Sequence, residues 1–263
     1  MKVYIFVDME GISGVSSSEF VMTTGRHYGL ARRYYTEELN ACVRGCFAGG
    51  AEAVLARDGH GSGDHFLWAD LDPRVEVVQG GTGTTRMVGL EECGALILLG
   101  YHAMAGTPGA LLEHTYSSAS IQNMWLNGRP AGELAFDAAI AGELGVPTVM
   151  VSGDDYVCRE AEDWIPGVVT CQVKQGLNCQ AARLLPRAVA HRLIEEHTAE
   201  AVKKALQGQI APLVVERPVT IRREMMERKG IPDAGSSPNL KIIDGRTYEY
   251  TADTVAKAFF GLC

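Results

Sequence analysis

The feature that most constrains this fold is a series of short apolar runs separated by segments with helical periodicity. Most runs are rich in Val, Ile or Leu, which is typical of central strands covered on both faces. Two intervening segments, Arg26–Ala48 and Glu133–Leu144, are predicted helices. The alternation predicts an α/β fold with a mostly parallel sheet and helices on both faces. The predicted strands are Val3–Val7, Ala53–Ala56, Val75–Val78, Ala95–Leu99 and Thr148–Val151.

The rest of the chain departs from this alternation. Ile121–Leu126 followed by Asn127-Gly128 predicts a β-hairpin. A helical stretch is expected from about 177 to 206, with Pro186 beginning a second helix. Beyond a linker at 207–212, we expect a small C-terminal α+β appendage and therefore two domains, 1–206 and 207–263. The appendage is predicted to contain a strand at Pro218–Arg223, a loop at 230–238, a hairpin of Leu240–Ile243 with Thr247–Tyr250, and a last helix to Leu262 capped by Thr251 or Asp253.

Composition excludes several classes of protein. The chain has 24 Lys and Arg against 32 Asp and Glu, a net charge of −8, which argues against a general binder of nucleic acid or anionic membranes. The apolar run before Asp8 is too short for a signal peptide, and no stretch is long enough to span a bilayer. A cytoplasmic protein is expected. Seven cysteines without a C-x-x-C pair argue against a disulfide framework or a thiolate zinc site.

Acidic residues and histidines follow the predicted strands. Asp8 and Glu10 follow the first, His60 the second and His102 the fourth. Ligands of α/β sheets bind beyond the carboxyl ends of the strands. Asp8 and Glu10 are two residues apart and would point to the same side, where their charges repel unless a cation or proton lies between them. Carboxylate with imidazole suits Zn²⁺, or less selectively Mn²⁺ and Co²⁺. The simpler alternative is that each group is solvated in a loop.

Two further residues extend this set. His114 follows the Gly- and Pro-containing stretch 106–109, and a loop that begins this way can fold over a site. Glu133 lies in the first turn of a predicted helix, where a carboxylate is also favoured by the helix dipole. A surface histidine and a capping residue are the alternatives. His27, His65, His191 and His197 have no comparable context. Five residues would suffice for two metals that share a carboxylate: Asp8, Glu10, His60, His102 and Glu133.

An ordered set of motifs resembles the D-aminopeptidase family of binuclear zinc metallopeptidases, family M55. The similarity runs from Met1 to about Gln175 and is looser beyond about 206. The motifs are VDMEGISG at the first strand, DGHG at 58–61, GYHAMAGTPG at 100–109, EHT at 113–115, NGRPAGEL at 127–134, VSGDD at 151–155 and VKQG at 173–176.

The resemblance implies an enzyme that releases N-terminal residues from short peptides, with D-alanine peptides as the known type. Asp8, Glu10, His60, His102 and Glu133 match the ligands of two zinc ions per subunit, and Asp8 matches the bridging ligand. His114 matches the catalytic residue. A metal-bridging hydroxide would attack the peptide carbonyl. The resemblance also implies a ring-stacked homodecamer.

The sequence departs from the family pattern at two positions. Phe6 stands where Ser is usual, and Glu113 stands where a small residue is expected. Neither is a matching ligand, so the departures bear on substrate preference. We hypothesise that the charge of Glu113 beside His114 favours substrates with a free amine. The sequence does not distinguish D- from L-residues, so an aminopeptidase or amidase of the same family acting on L-residues stays open.

Three alternative functions are compatible with parts of the sequence. A Mg²⁺-dependent phosphatase of the haloacid-dehalogenase type would use the first strand's D-x-E-G and Gly153-Asp154-Asp155, but its second carboxylate should be Asp and it gives the histidines no role. A nucleotide-binding module could use Gly80–Thr85, which lacks the lysine of a phosphate-binding loop. An inactive scaffold of the same fold would not be expected to retain all five presumed ligands.

Overall fold

A computed structural model describes residues 1–262 of the chain. The strands, in chain order, are β1 (Lys2–Val7), β2 (Ala53–Asp58), β3 (Val75–Val78), β4 (Ala95–Tyr101), β5 (Ile121–Leu126), β6 (Arg129–Pro130), β7 (Thr148–Gly153), β8 (Val169–Gln172), β9 (Lys174–Asn178), β10 (Ala181–Leu184), β11 (Val219–Met225), β12 (Leu240–Ile242) and β13 (Thr247–Ala252). The α-helices are α1 (Ser18–Val21), α2 (Tyr28–Gly49), α3 (Glu133–Glu143), α4 (Asp155–Trp164), α5 (Arg187–Leu206) and α6 (Val255–Phe260).

A six-stranded parallel sheet forms the centre of the fold, in the order β3-β2-β1-β4-β7-β8. All five predicted strands are present, and β8 is added at one edge. Alternate residues of β1 serve two cores: Val3, Ile5 and Val7 pack toward α2 and α5, whereas Tyr4 and Phe6 pack toward α3 and α4. The predicted α/β fold, with a parallel sheet and helices on both faces, is confirmed.

The strand order reverses direction between β1 and β4. The chain first adds β2 and β3 on one side of β1, then returns to place β4 on the other side and continues outward. At such a reversal the connections leave in opposite directions and open a crevice at the carboxyl ends of the strands. The residues that follow β1 and β4 therefore lie side by side at this crevice.

A second sheet has five strands in the order β12-β13-β11-β5-β6. The predicted hairpin is its β5–β6 pair, and Asn127 and Gly128 have the positive φ angles, 48° and 82°, of its tight turn. β5 pairs antiparallel with β11, so the sheet draws strands from both sides of position 206. The division into domains 1–206 and 207–263 stays a prediction.

Two predicted elements need correction. Residues 178–185 are not helical: β9 and β10 form a hairpin, whose turn is closed where Asn178 Oδ1 accepts from Gln180 N at 2.9 Å. α5 does begin directly after Pro186, as predicted. The last helix is capped by Thr254, whose side chain accepts from Lys257 N, and not by Thr251 or Asp253, and it ends at Phe260.

Helix α4 was not predicted, and its cause is local. Asp154 Oδ1 accepts from the backbone N–H groups of Tyr156 and Val157, which satisfies two donors of the first turn. The six cysteines among residues 1–262 are free thiols, and Cys263 lies outside the described residues. None of the described helices has the length and apolar character required to cross a membrane.

Candidate metal centre

The ends of β1 and β4 approach each other closely at the crevice. Gly11 N donates to Gly100 O at 2.7 Å. A Cβ atom on Gly11 would lie 2.0 Å from the carbonyl oxygen of Tyr101, so no larger residue fits there. This approach holds Asp8 and Glu10 beside the end of β4, where they are 8% and 5% exposed. The prediction that both carboxylates lie at one edge of the sheet is confirmed.

One group of possible ligands, the Glu10 cluster, consists of Asp8, Glu10 and His60. The Nδ1 atom of His60 lies 3.1 Å from Asp8 Oδ1 and 3.1 Å from Glu10 Oε2. Its other nitrogen, Nε2, lies 3.0 Å from Val21 O and donates to it. That bond fixes the ring so that Nδ1 faces the carboxylates, as is usual for histidines that bind metals.

A second group, the Glu133 cluster, consists of Asp8, His102 and Glu133, with His114 beside it. The Nε2 atom of His102 lies 3.3 Å from Glu133 Oε1 and 3.3 Å from Asp8 Oδ2. His102 Nδ1 donates to Ala103 O at 3.0 Å, which again leaves the other nitrogen facing the carboxylates. Glu133 is the first residue of α3, as predicted. The Glu133 side chain contacts His102 and accepts a hydrogen bond from Tyr116 N, and it does not cap the helix.

Asp8 is shared by the two clusters. Its Oδ1 atom faces His60 and its Oδ2 atom faces His102. Two buried atoms of the site, Glu10 Oε2 and His102 Nε2, make no hydrogen bond of good geometry, although each lies within 3.3 Å of a charged neighbour. Leaving such atoms unpaired costs free energy unless another group binds them. Carboxylate oxygens with imidazole nitrogens suit Zn²⁺, so the residues present fit two cations that share Asp8.

His114 lies over the second cluster. Its ring stacks on His102, with centroids 4.0 Å apart, and its Nε2 atom lies 3.7 Å from Glu133 Oε1. Nδ1 donates to Leu112 O at 2.9 Å, so Nε2 is the nitrogen free to act. Leu112 and Tyr116, on either side, have positive φ angles of 51° and 61°. Non-glycine residues in this conformation are strained and cluster at functional sites.

Electrostatics show how strongly the carboxylates act on the histidines. Burial lowers the pKa of His60, but the charge of Glu10 and contacts with Asp8 outweigh it and raise that pKa to about 12. Burial raises the pKa of Asp8, but its interactions with His102 and His60 prevail and hold it well below the usual range. The carboxylates thus favour positive charge at the histidines, which a proton supplies without metal and which a bound cation can replace.

His65 supports His60, although no motif in the sequence pointed to it. It is buried, and its Nε2–H donates to His60 O at 2.7 Å. Its Nδ1 lies 2.5 Å from the hydroxyl of Tyr28, and its backbone N donates to Asp58 Oδ2. Asp58 in turn accepts from Tyr35 at 2.9 Å. Only the fold reveals this network, because its members come from α2, from the end of β2 and from the loop after β2.

Arg86 contacts Glu133, and the sequence analysis did not identify it as a site residue. Its guanidinium lies between the rings of Phe6 and Tyr116, at 4.9 and 4.8 Å. It contacts Glu133 Oε2 at 3.4 Å and forms a two-point ion pair with the buried Asp137. Asp137 lies one turn after Glu133 in α3, a spacing that could have been read from the sequence. Phe6, the departure from the family pattern, thus packs against a residue that contacts a predicted ligand.

The acidic motif after β7 anchors the loops of the site. Asp154 Oδ2 accepts from Leu111 N at 3.0 Å, and Glu160 Oε2 accepts from Met104 N at 2.8 Å. Both oxygens of Asp154 are thus bound by backbone N–H groups. Burial raises the pKa of Glu160 to about 7. These bonds give Asp154 a structural role, which argues against its use in the acidic motif of a phosphatase.

Two other predicted features lie outside the clusters. Glu113 Oε2 accepts from Gly106 N at 2.6 Å, so one of its oxygens is engaged in holding the loop. The hypothesis that Glu113 favours substrates with a free amine stays a prediction. Most of Gly80–Thr85, the possible phosphate-binding stretch, is exposed, and this stretch leads to Arg86.

Comparisons with known proteins identify a family that this chain resembles in sequence and fold. The pattern of the family Peptidase M55, described as D-aminopeptidase, matches residues 1–262. A D-aminopeptidase of Bacillus subtilis strain 168 is 40% identical over 223 residues, which span 83% of this chain and 80% of the relative. A solved structure, the Zn-dependent D-aminopeptidase DppA from Bacillus subtilis, described as a self-compartmentalizing protease, superposes with a TM-score of 0.91 at 33% identity. That match covers 100% of this chain and 95% of DppA.

Proposed function

The chain belongs to the D-aminopeptidase family M55, and we propose that it is a zinc-dependent aminopeptidase that removes N-terminal residues from short peptides. D-residues such as D-alanine are the proposed preference, in keeping with the names of both relatives. The observation that carries the proposal is the placement of Asp8, whose two oxygens face His60 and His102 in separate clusters.

The proposed metal content is two zinc ions per subunit. Asp8, Glu10 and His60 would hold one ion, and Asp8, His102 and Glu133 would hold the other. Zinc held there would supply a Lewis acid for the peptide carbonyl and would lower the pKa of water from 15.7 to roughly 7. The carbonyl acceptors of His60 and His102 keep the nitrogens that would bind zinc facing the carboxylates.

His114 is the proposed catalytic residue. With Nδ1 bound to Leu112 O, its Nε2 atom faces the Glu133 cluster and is available to accept or donate a proton. We assign it the stabilisation of the tetrahedral intermediate or the transfer of a proton to the leaving amine. Because its Nε2 also lies near Glu133 Oε1, metal content after its removal distinguishes this role from that of a ligand.

The proposal includes an assembly. DppA is described as self-compartmentalizing, which supports a homo-oligomer, and a ring-stacked homodecamer is the proposed form. A cytoplasmic location stays a prediction from the sequence. Native mass measurement tests the assembly, since ten chains of 28.3 kDa are readily separated from smaller oligomers.

The test of the activity compares D-alanyl and L-alanyl amides as substrates for the purified full chain. We expect hydrolysis of the D-substrate, its loss with a zinc chelator and its recovery when zinc is restored. Asp8→Ala is the matched control and should be inactive. Faster hydrolysis of the L-substrate would assign the chain to an L-specific branch of the same chemistry. Hydrolysis of phosphate esters with Mg²⁺, and of neither amide, would overturn the proposal.

A further inference from the structure

Lys174 is a fully buried lysine that the proposed reaction does not use. It is 1% exposed, at the start of β9. Its Nζ atom donates to three backbone carbonyls, Glu10 O at 2.6 Å, Ile12 O at 2.9 Å and Val15 O at 2.9 Å. Three acceptors use every N–H bond of an ammonium group. Each acceptor belongs to the segment after β1 that carries Glu10.

That segment, residues 10–15, turns sharply, and two of its backbone N–H groups make further hydrogen bonds. Gly11 N donates to Gly100 O at 2.7 Å, and Ser13 N donates to Glu38 Oε2 at 2.9 Å. Glu38 is completely buried in α2, and its charge interacts with that of Lys174. A buried cation thus binds the carbonyls of the segment, and a buried carboxylate binds one of its N–H groups.

Removing either partner would leave polar groups buried without bonds. Carbonyls left unpaired would destabilise this backbone, and turning them toward water would shift it at Glu10. The present backbone position places Glu10 Oε2 3.1 Å from His60 Nδ1. The two residues found only in the Glu133 cluster, His102 and Glu133, lie after β4 and at the start of α3, and none of the three hydrogen bonds of Lys174 reaches either residue.

We propose that Lys174, together with Glu38, is a positioning residue that sets Glu10 in place for the metal of the Glu10 cluster. The inference rests on the proposed function, since it assumes that Glu10 is a ligand. It gives the VKQG motif a role that sequence reasoning left open.

The first test is Lys174→Met, which keeps the length of the side chain and removes its donors. Binding of Co²⁺ and Zn²⁺ to the metal-stripped chain is titrated against a competing chelator, which separates two binding steps. One step should weaken by roughly 10- to 100-fold, the range typical of groups that orient metal ligands. It should be the same step that Glu10→Gln weakens, with the other step almost unchanged.

Ile194→Ala is the control for general destabilisation. Ile194 is buried in α5, so truncating it is expected to lower the melting temperature, and it takes part in none of the hydrogen bonds that hold residues 10–15. This variant should bind both metals as the parent chain does. If Lys174→Met also binds both as the parent does, the inference is overturned while the proposed function stands. If the parent chain itself binds no transition metal, the proposed function and the inference both fail.

A second measurement covers the case in which Lys174→Met does not fold. Hydrogen exchange of Gly11 and Ser13 is followed in the metal-stripped parent chain. Because Lys174 and Glu38 hold the segment without metal, these amides should exchange slowly and gain little further protection when zinc is added. Fast exchange that only zinc suppresses would show that the metal orders the segment, and would overturn the inference.

Discussion

Asp8 is the residue on which both clusters of the metal centre depend, because each of its oxygens faces a different histidine. Asp8→Ala should therefore abolish the binding of both ions. Glu10→Gln should weaken the binding of one ion only, because Glu10 belongs to the Glu10 cluster alone. Elemental analysis of the purified variants measures the difference. Retention of one ion by Asp8→Ala would show that Asp8 is not shared.

His114 carries the second prediction at this scale. His114→Ala should keep both metals and lose about 10²- to 10⁴-fold in kcat, the contribution typical of a positioned proton donor or acceptor. Steady-state kinetics and metal analysis are made on the same preparation. His191→Ala, on α5, is the matched control and should retain activity. Loss of metal from His114→Ala would instead make this residue a ligand.

At the scale of elements, two glycines of α2 test how the helices pack. Nothing lies within 4 Å of a Cβ atom placed on Gly29, so Gly29→Ala should raise the free energy of unfolding by about 0.5–1 kcal/mol. A Cβ on Gly45 would lie 2.6 Å from Glu195 O of α5. Gly45→Ala should therefore destabilise the protein by about 1–3 kcal/mol. Denaturant unfolding of the pair measures both, and equal effects would contradict the α2–α5 packing.

Some strands and site residues could be predicted from the sequence, whereas others could not. Strands β1 and β4 were predictable because their apolar runs are buried on both faces, and Asp8 and His102 were predictable because they follow those runs directly. The β9–β10 hairpin was not, since its register depends on tertiary contacts and not on its own periodicity. Lys174 and His65 were missed for a related reason: their partners lie far away in the chain and only the fold brings them together.

For the whole molecule, the metal-free site holds protons where the metals would bind. The pKa of His60 is raised to about 12, so its contribution to stability without metal is complete below about pH 6.5, the unfolded value, and is lost as the pH rises toward 12. Zinc must displace the proton from His60, and likewise from His102, whose pKa is also raised.

Zinc binding near pH 7 should therefore release about two protons per chain, and the apparent affinity should rise with pH. Calorimetric titrations in buffers of different ionisation enthalpy count the protons. A chain with Asp8→Ala, which lacks the shared carboxylate, should show no such release. Zinc binding without proton release would mean that the histidines are neutral before the metal arrives.

We propose that the two clusters that share Asp8 hold two zinc ions. The amount of tightly bound metal per chain, measured on protein purified without chelator, tests this directly. Close to two zinc equivalents are expected. No retained transition metal, even after zinc is added back, would contradict it.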